Sequence, residues 1–177
     1  MQHVNVKIFA EEPVRASLAD AIPVFHRWIQ SNALPELLID VADYAHVPAG
    51  PGVLLIAHEA NYSLDNVRGR LGLLYNRKAV REGAPQENLR QAYEAALAAT
   101  RMLEGEPEFQ SQLKFRLEEL EVTWNDRLLF PNTGATWDSL RGDVLAFFDG
   151  LFGKDSYSII RPAEPRERFS VHARRSY

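Results

Sequence analysis

The chain has 177 residues, a formal net charge of −4 and no cysteine. Its length fits one domain or two small ones, and the lack of cysteine excludes disulfides, thiolate metal ligands and cysteine nucleophiles. The acidic balance gives no bulk attraction to nucleic acid or to an anionic membrane, and we find neither a signal peptide nor a membrane span in the sequence. We therefore expect a soluble cytoplasmic protein.

The first third of the chain predicts a strand, a helix and two more strands. Residues 3–10 alternate apolar and polar side chains, as in a half-buried strand. Ser17 and Asp20 are candidate caps for a helix whose main part starts near Ile22. Residues 37–42 alternate again, whereas residues 53–57 are apolar on both faces, which predicts a central strand covered on both sides.

The middle of the chain predicts a strand over residues 70–78 and then the clearest helix. That helix has Pro85 at its start and Gly105 just past its end, the usual asymmetry of helix termini. A long alternation over residues 113–124 changes phase at Glu118-Glu119, which requires a bulge or a turn. A further strand is expected at residues 128–130, after a tight turn.

A third helix is predicted after Thr133 or Thr136, either of which can cap it, and it ends at Gly153. Its broad apolar face is rich in aromatic side chains. Core packing is expected to bury most of this face, and any part left exposed predicts a homodimer interface. A short strand over residues 157–160 follows.

These elements predict an α+β fold, in which a single mixed, mostly antiparallel sheet packs against three helices. Residues 1–160 form this domain, and residues 161–177 form a C-terminal tail rich in Pro and Arg that is either a solvated arm or an edge strand. The element order also suggests a βαββ duplication, with halves at 4–58 and 71–130, although residue identity between the halves is poor.

Three stretches carry a resemblance to known sequences: LLIDVADYAHVPAGPGVLLIAHEANYSLDN, GLLYNRK and NDRLLFPNT. In these stretches the chain resembles a family of bacterial proteins that has no assigned activity. The resemblance covers most of the chain and implies a bacterial origin. It implies no function, and it identifies no catalytic residue.

The candidate site lies where the apolar run 53–57 gives way to clustered polar residues. His58 is the candidate base or ligand, and Glu59 and Asp65 are candidate assisting carboxylates. A strand directs His58 and Glu59 to opposite faces, and the sequence lacks the HExxH pattern, so a hydrogen-bonded structural histidine is favoured over a metal ligand. We assign no metal ligand and identify no cofactor. The competing interpretation is that the stretch is only the route out of the core.

Two classes of function follow. The first is a non-catalytic binding or assembly protein that acts as a homodimer through the third helix and the tail. The alternative is a small enzyme, metal-assisted or acid–base, with its site around His58 at the end of the strand 53–57. Nucleic-acid binding through the arginines of the tail is the weakest hypothesis, no membrane partner is expected, and a small-molecule ligand stays open.

Overall fold

The computed structural model of the chain describes residues 3–176. Within them, eight strands and three α-helices follow one another in a single order. The elements are β1 (Val4–Ala10), α1 (Ala21–Ser31), β2 (Leu38–Tyr44), β3 (Gly52–Ala57), β4 (Ala60–Asp65), β5 (Gly72–Arg77), α2 (Pro85–Gly105), β6 (Phe115–Trp124), α3 (Gly134–Phe152), β7 (Tyr157–Ile160) and β8 (Ser170–Arg175).

The strands form one sheet in the order β2-β3-β4-β5-β1-β6-β8-β7. Every pairing between described strands is antiparallel. The predicted α+β fold is confirmed, with a sheet that is antiparallel throughout rather than mixed. The N-terminal strand β1 lies in the interior of the sheet, where β5 and β6 flank it.

The three helices cover one face of this sheet. Alternation in β1 directs Val4, Val6 and Ile8 towards the helices, and directly paired residues on β5 and β6 point the same way. Helix α1 packs on β2 and β3, helix α2 packs on β1 and β5, and helix α3 packs on α2. The opposite face, which we call the open face, carries no helix and presents Asn5, Lys7 and Phe9 from β1.

The predicted helix starts are confirmed, and Gly153 directly follows α3, whereas Gly105 is the last residue of α2 and not the residue after it. The Oγ atom of Ser17 accepts a hydrogen bond from the backbone N–H of Ala19, and Asp20 accepts one from the backbone N–H of Ser17. This capping box begins a short 3-10 turn that leads into α1. Thr133 caps α3 by accepting from the backbone N–H of Thr136 at 3.3 Å.

The predicted βαββ duplication is wrong because the strands after each helix differ in number. Four strands follow α1, whereas only β6 follows α2 before α3 begins. The sequence ANYSLD forms β4 although it contains several polar residues, because Tyr62 and Leu64 face the core and the alternate positions face the open side. The residues 128–130, expected as a strand, form a turn in which Asp126 accepts hydrogen bonds from two backbone N–H groups.

Three further expectations concern position within the sheet. Strand β3 is not central, since only the edge strand β2 lies beyond it. Strand β8, expected as an edge strand of the tail, lies between β6 and β7 and is an interior strand of the same sheet. The phase change at Glu118-Glu119 coincides with an irregularity in the pairing, because the register of β6 against β1 shifts between Ile8 and Ala10.

The apolar face of α3 is buried inside the chain. Leu140, Val144, Phe147, Phe148 and Phe152 are all buried, and aromatic contacts join this helix to Tyr93 and Tyr157. Core packing therefore buries most of this face, and Trp137 and Leu151 stay partly exposed. The homodimer stays a prediction.

Candidate functional site

The open face is covered even though no helix packs on it. All seven residues of β1 are buried, so the polar side chains of that strand lie under other parts of the chain. The covering segments are the β4–β5 loop and the β7–β8 loop. Between them and the sheet lies a cavity of about 710 Å³, which we call the groove.

The floor of the groove contains a buried ion pair between Lys7 of β1 and Asp65 of β4. Their side chains are only 7% and 3% exposed. Strand β5 separates β1 from β4, so the Lys7 side chain crosses over β5 to reach the carboxylate. The Oδ1 atom of Asp65 is buried and has no hydrogen-bond partner among the described residues.

Gly72 on β5 makes this crossing possible. It pairs with Asp65 on one side and with Phe9 on the other. A Cβ atom at this position would lie 2.6 Å from the carbonyl oxygen of Ile8 and 2.9 Å from Cε of Lys7. Glycine is therefore required by the close approach of the lysine stem and of the neighbouring strand.

Burial makes the charged form of Lys7 costly and lowers the pKa of its amine below the ordinary value. The charge of Asp65 and the hydrogen bond to it act in the opposite direction and offset only part of this effect. The pair thus holds an amine whose proton is less tightly bound than that of a surface lysine.

A second charged cluster surrounds Glu119 of β6. Its Oε1 atom lies 2.9 Å from Nη2 of Arg70 and 2.8 Å from Nε2 of His172, while Oε2 lies 3.8 Å from Nη1 of Arg116. Burial opposes ionisation of Glu119, but the hydrogen bonds and charges of Arg70 and His172 together outweigh it and lower the pKa of the carboxyl. The carboxylate therefore stays charged and holds these cations in place.

Phe9 connects the two clusters. Its ring is buried and lies 4.2 Å from the guanidinium carbon of Arg70 and 5.5 Å from Nζ of Lys7. The ring of His172 meets it edge-on at 5.4 Å between centroids. Both cations thus lie close to one aromatic ring, within the range of a cation–π attraction.

The lining of the groove is strongly cationic. It contains seven Lys or Arg side chains and three Asp or Glu side chains, an excess of four positive charges, whereas the whole chain carries −4. The negative groups are Asp65, Glu121 and Glu167. Besides Lys7, the cations are Arg68, Arg70, Arg127, Arg161, Arg166 and Arg168.

Arg68 joins the two covering loops across the groove. Its guanidinium lies 3.4 Å from Glu167 in the β7–β8 loop and 3.6 Å from Glu121 on β6. A smaller cavity of about 490 Å³ adjoins the groove at the Glu119 cluster and shares Arg70 and His172 with it. The positively charged lining therefore extends from the loops to the edge of the sheet.

The structure separates the residues that the sequence grouped as one site. His58 and Glu59 form the exposed turn between β3 and β4. Asp65 lies at the other end of β4, roughly 20 Å from Glu59 at about 3.3 Å per residue. Asp65 does line a cavity, but its partner there is Lys7 and not His58. The structure therefore gives no support to His58 and Glu59 as catalytic partners of Asp65.

Sequence reasoning missed Lys7, Arg70, Glu119 and His172. A charged residue in the middle of the first strand, flanked by apolar residues, was the available signal for Lys7. The sequence did indicate an arginine-rich tail, and three of its arginines, at positions 161, 166 and 168, line the groove.

Within residues 3–176, three or more His, Asp or Glu side chains nowhere converge in a way that could hold a metal ion. None of the helices in this part of the chain is both long enough and apolar enough to cross a membrane.

Comparison of the chain with protein-family models, with curated proteins and with solved structures finds no match. The residues of the groove are therefore the basis for inferring a function.

Proposed function

We propose that the protein is a non-catalytic binding protein whose groove takes a small anionic molecule. The observation that carries this proposal is the excess of four positive charges in the groove of a chain with a net charge of −4. Like charges gathered around a cavity repel one another unless an anion neutralises them. A ligand of opposite charge is thus the natural occupant of this groove.

The chemistry of the lining favours a carboxylate or a phosphate. A guanidinium offers paired N–H donors that match both groups, and six of the seven cations are arginines. Arg70 is already oriented by Glu119, so its binding geometry exists before a ligand arrives. Such preorganisation reduces the entropy that binding costs.

The size of the groove favours a small molecule over a nucleic acid strand. A volume of about 710 Å³ lies within the range of roughly 300–1,000 Å³ that is usual for small-molecule sites. The contact of Arg68 with Glu167 also spans the groove, whereas a nucleic acid strand needs an open track along its backbone.

We propose that the protein acts in the bacterial cytoplasm. The homodimer stays a prediction that light scattering of the purified protein tests. One apolar surface open to a second copy is the edge strand β2 and the residue before it, where Ile39 and Leu37 are exposed.

Calorimetric titration with inorganic pyrophosphate and with citrate at low ionic strength tests the proposal. The groove variant carries Arg127→Gln and Arg168→Gln, two exposed side chains of the lining. The control variant carries Arg90→Gln and Arg101→Gln on the exposed side of α2 and changes the net charge equally. Because a hydrogen bond to a charged group contributes about 1.5–3 kcal/mol, we expect the groove variant to bind at least about ten-fold more weakly and the control to bind like the wild type.

The affinity for both anions should also fall as the salt concentration rises, because screening weakens attraction between charges. Absence of binding by both anions at low ionic strength would overturn the proposal. An equal loss in the groove and control variants would also overturn it, since the attraction would then come from net charge and not from the groove. Binding of a single-stranded oligonucleotide without binding of either small anion would assign the surface to nucleic acid instead.

A further inference from the structure

Lys7 differs in its surroundings from every other lysine of the chain. The sequence contains four lysines, and Lys78, Lys114 and Lys154 are exposed. Lys7 is buried, lines the groove and contacts a carboxylate that retains a free oxygen. Anion binding alone does not require this arrangement, since a surface lysine attracts an anion without the cost of burial.

We propose that Lys7 forms an imine with the carbonyl carbon of an anionic aldehyde or ketone bound in the groove. This inference rests on the proposed function, because the arginines must hold the anionic group of the ligand. Arg70 and Lys7 lie over the same ring of Phe9. An acidic group held by Arg70 therefore places a neighbouring carbonyl close to the Lys7 amine.

The step is balanced without any oxidant or reductant. Asp65 takes a proton from the Lys7 ammonium, and the free amine then forms a C–N bond as the carbonyl π electrons move to oxygen. The resulting alkoxide takes one of the two protons of the attacking nitrogen and becomes a hydroxyl. Asp65 then returns its proton to this hydroxyl, which leaves as water as the nitrogen lone pair forms the C=N bond. The product is a protonated imine whose positive charge faces the Asp65 carboxylate in place of the Lys7 ammonium. Lysine amines that are desolvated serve as nucleophiles of this kind in proteins. The lowered pKa of Lys7 supports this step because it raises the fraction of free amine.

Site-selective trapping with pyridoxal 5′-phosphate, an aldehyde that carries a phosphate, tests the inference. The protein is incubated with this probe and reduced with borohydride, and the label on each lysine is measured by mass spectrometry of a digest. Because the arginines of the groove concentrate the phosphate of the probe beside the Lys7 amine, an effect of about ten-fold or more in a charged cleft, we expect Lys7 to carry at least about ten-fold more label than Lys78, Lys114 or Lys154. Pyridoxal, which lacks the phosphate, should show no such preference.

Two variants make the result specific. Lys7→Arg keeps the charge opposite Asp65 but cannot form an imine, so the preferential label should disappear while the fold is retained. Lys78→Arg removes an exposed lysine and should leave the label on Lys7 unchanged. Circular dichroism of both variants checks that they are folded.

Titration with pyridoxine 5′-phosphate separates this inference from the proposed function, because that molecule has the phosphate but no carbonyl. Binding of this compound without preferential labelling of Lys7 would overturn the imine and leave the anion site intact. Absence of binding together with equal labelling of all four lysines would overturn both. Preferential labelling that persists with pyridoxal would show reactivity that does not depend on the arginines, and would also refute the inference as stated.

Discussion

The ion pair between Lys7 and Asp65 yields the sharpest energetic prediction. Asp65→Ala leaves a lysine amine without its carboxylate, and Lys7→Met leaves a carboxylate without its amine. Both side chains are less than 10% exposed, at 7% and 3%, so solvent does not screen the remaining charge effectively. Removing one partner of a buried pair costs about 3–5 kcal/mol of unfolding free energy.

The double variant Lys7→Met with Asp65→Leu should behave differently. It removes both charges and fills the space with apolar groups, which is often neutral or stabilises a protein by about 1–4 kcal/mol. The two single losses should therefore not add. We expect the double variant to be at least about 3 kcal/mol more stable than the sum of the single effects predicts.

Urea denaturation of the wild type, the two single variants and the double variant at neutral pH measures this cycle. Glu167→Ala is the control, because its contact with Arg68 joins two exposed side chains and should contribute only about 0–1 kcal/mol. Additive losses within about 0.5 kcal/mol would refute the reasoning. They would mean that water reaches the pair and that its burial has no energetic consequence.

The pH dependence of the same cycle follows from the lowered pKa of Lys7. Between this lowered pKa and the ordinary lysine value, the unfolded chain binds more protons than the folded chain. Stability therefore rises with pH across this window. Lys7→Met should remove this increase, and an unchanged slope in that variant would assign the effect to another group.

Three further outcomes are expected from urea denaturation. Gly72→Ala should lower the unfolding free energy by about 1–3 kcal/mol because its Cβ meets the neighbouring strand and the lysine stem. Gly142→Ala in α3, where an added Cβ meets open space, should raise it by about 1 kcal/mol. Equal effects of the two substitutions would contradict the close passage of the Lys7 side chain over Gly72. Below pH 4.5 the difference in unfolding free energy between the wild type and Glu119→Gln should shrink, because the pKa of Glu119 is lowered in the folded chain and the unfolded chain binds the proton first. A difference that stays constant from neutral to acid pH would contradict this. Thr133→Ala should cost about 1 kcal/mol because the N-cap of α3 is lost, and a loss below about 0.3 kcal/mol would show that this cap contributes little.

The sequence predicted the elements whose signals are local. The alternation of β1, the proline at the start of α2, the capping box of the turn before α1 and the cap of α3 each depend on neighbours within a few residues. The register shift of β6 against β1 also agrees with the change of phase of its apolar side chains. Strand β4 was not predicted, because the polar residues that face the open side resemble those of a loop or of a functional site.

The site was predicted only in part, because its members lie far apart in the chain. Asp65 belonged to the predicted cluster, but Lys7 lies 58 positions before it and Glu119 is contributed by β6. Which strands are neighbours depends on the order β4-β5-β1-β6. Antiparallel strands of similar apolar pattern fit many lateral orders, so the pattern alone does not choose between them.

By itself, the sequence determined that the chain is an α+β protein, which faces of most strands are apolar, and where the helices begin and end. Only the tertiary structure decided that the tail joins the interior of the sheet, that its loop brings arginines over the open face, and that Lys7 meets Asp65 across Gly72. The physical reason is that hydrophobic periodicity fixes the direction of each side chain within its own element. The neighbours of that side chain depend on how the whole set of elements buries its apolar surface together.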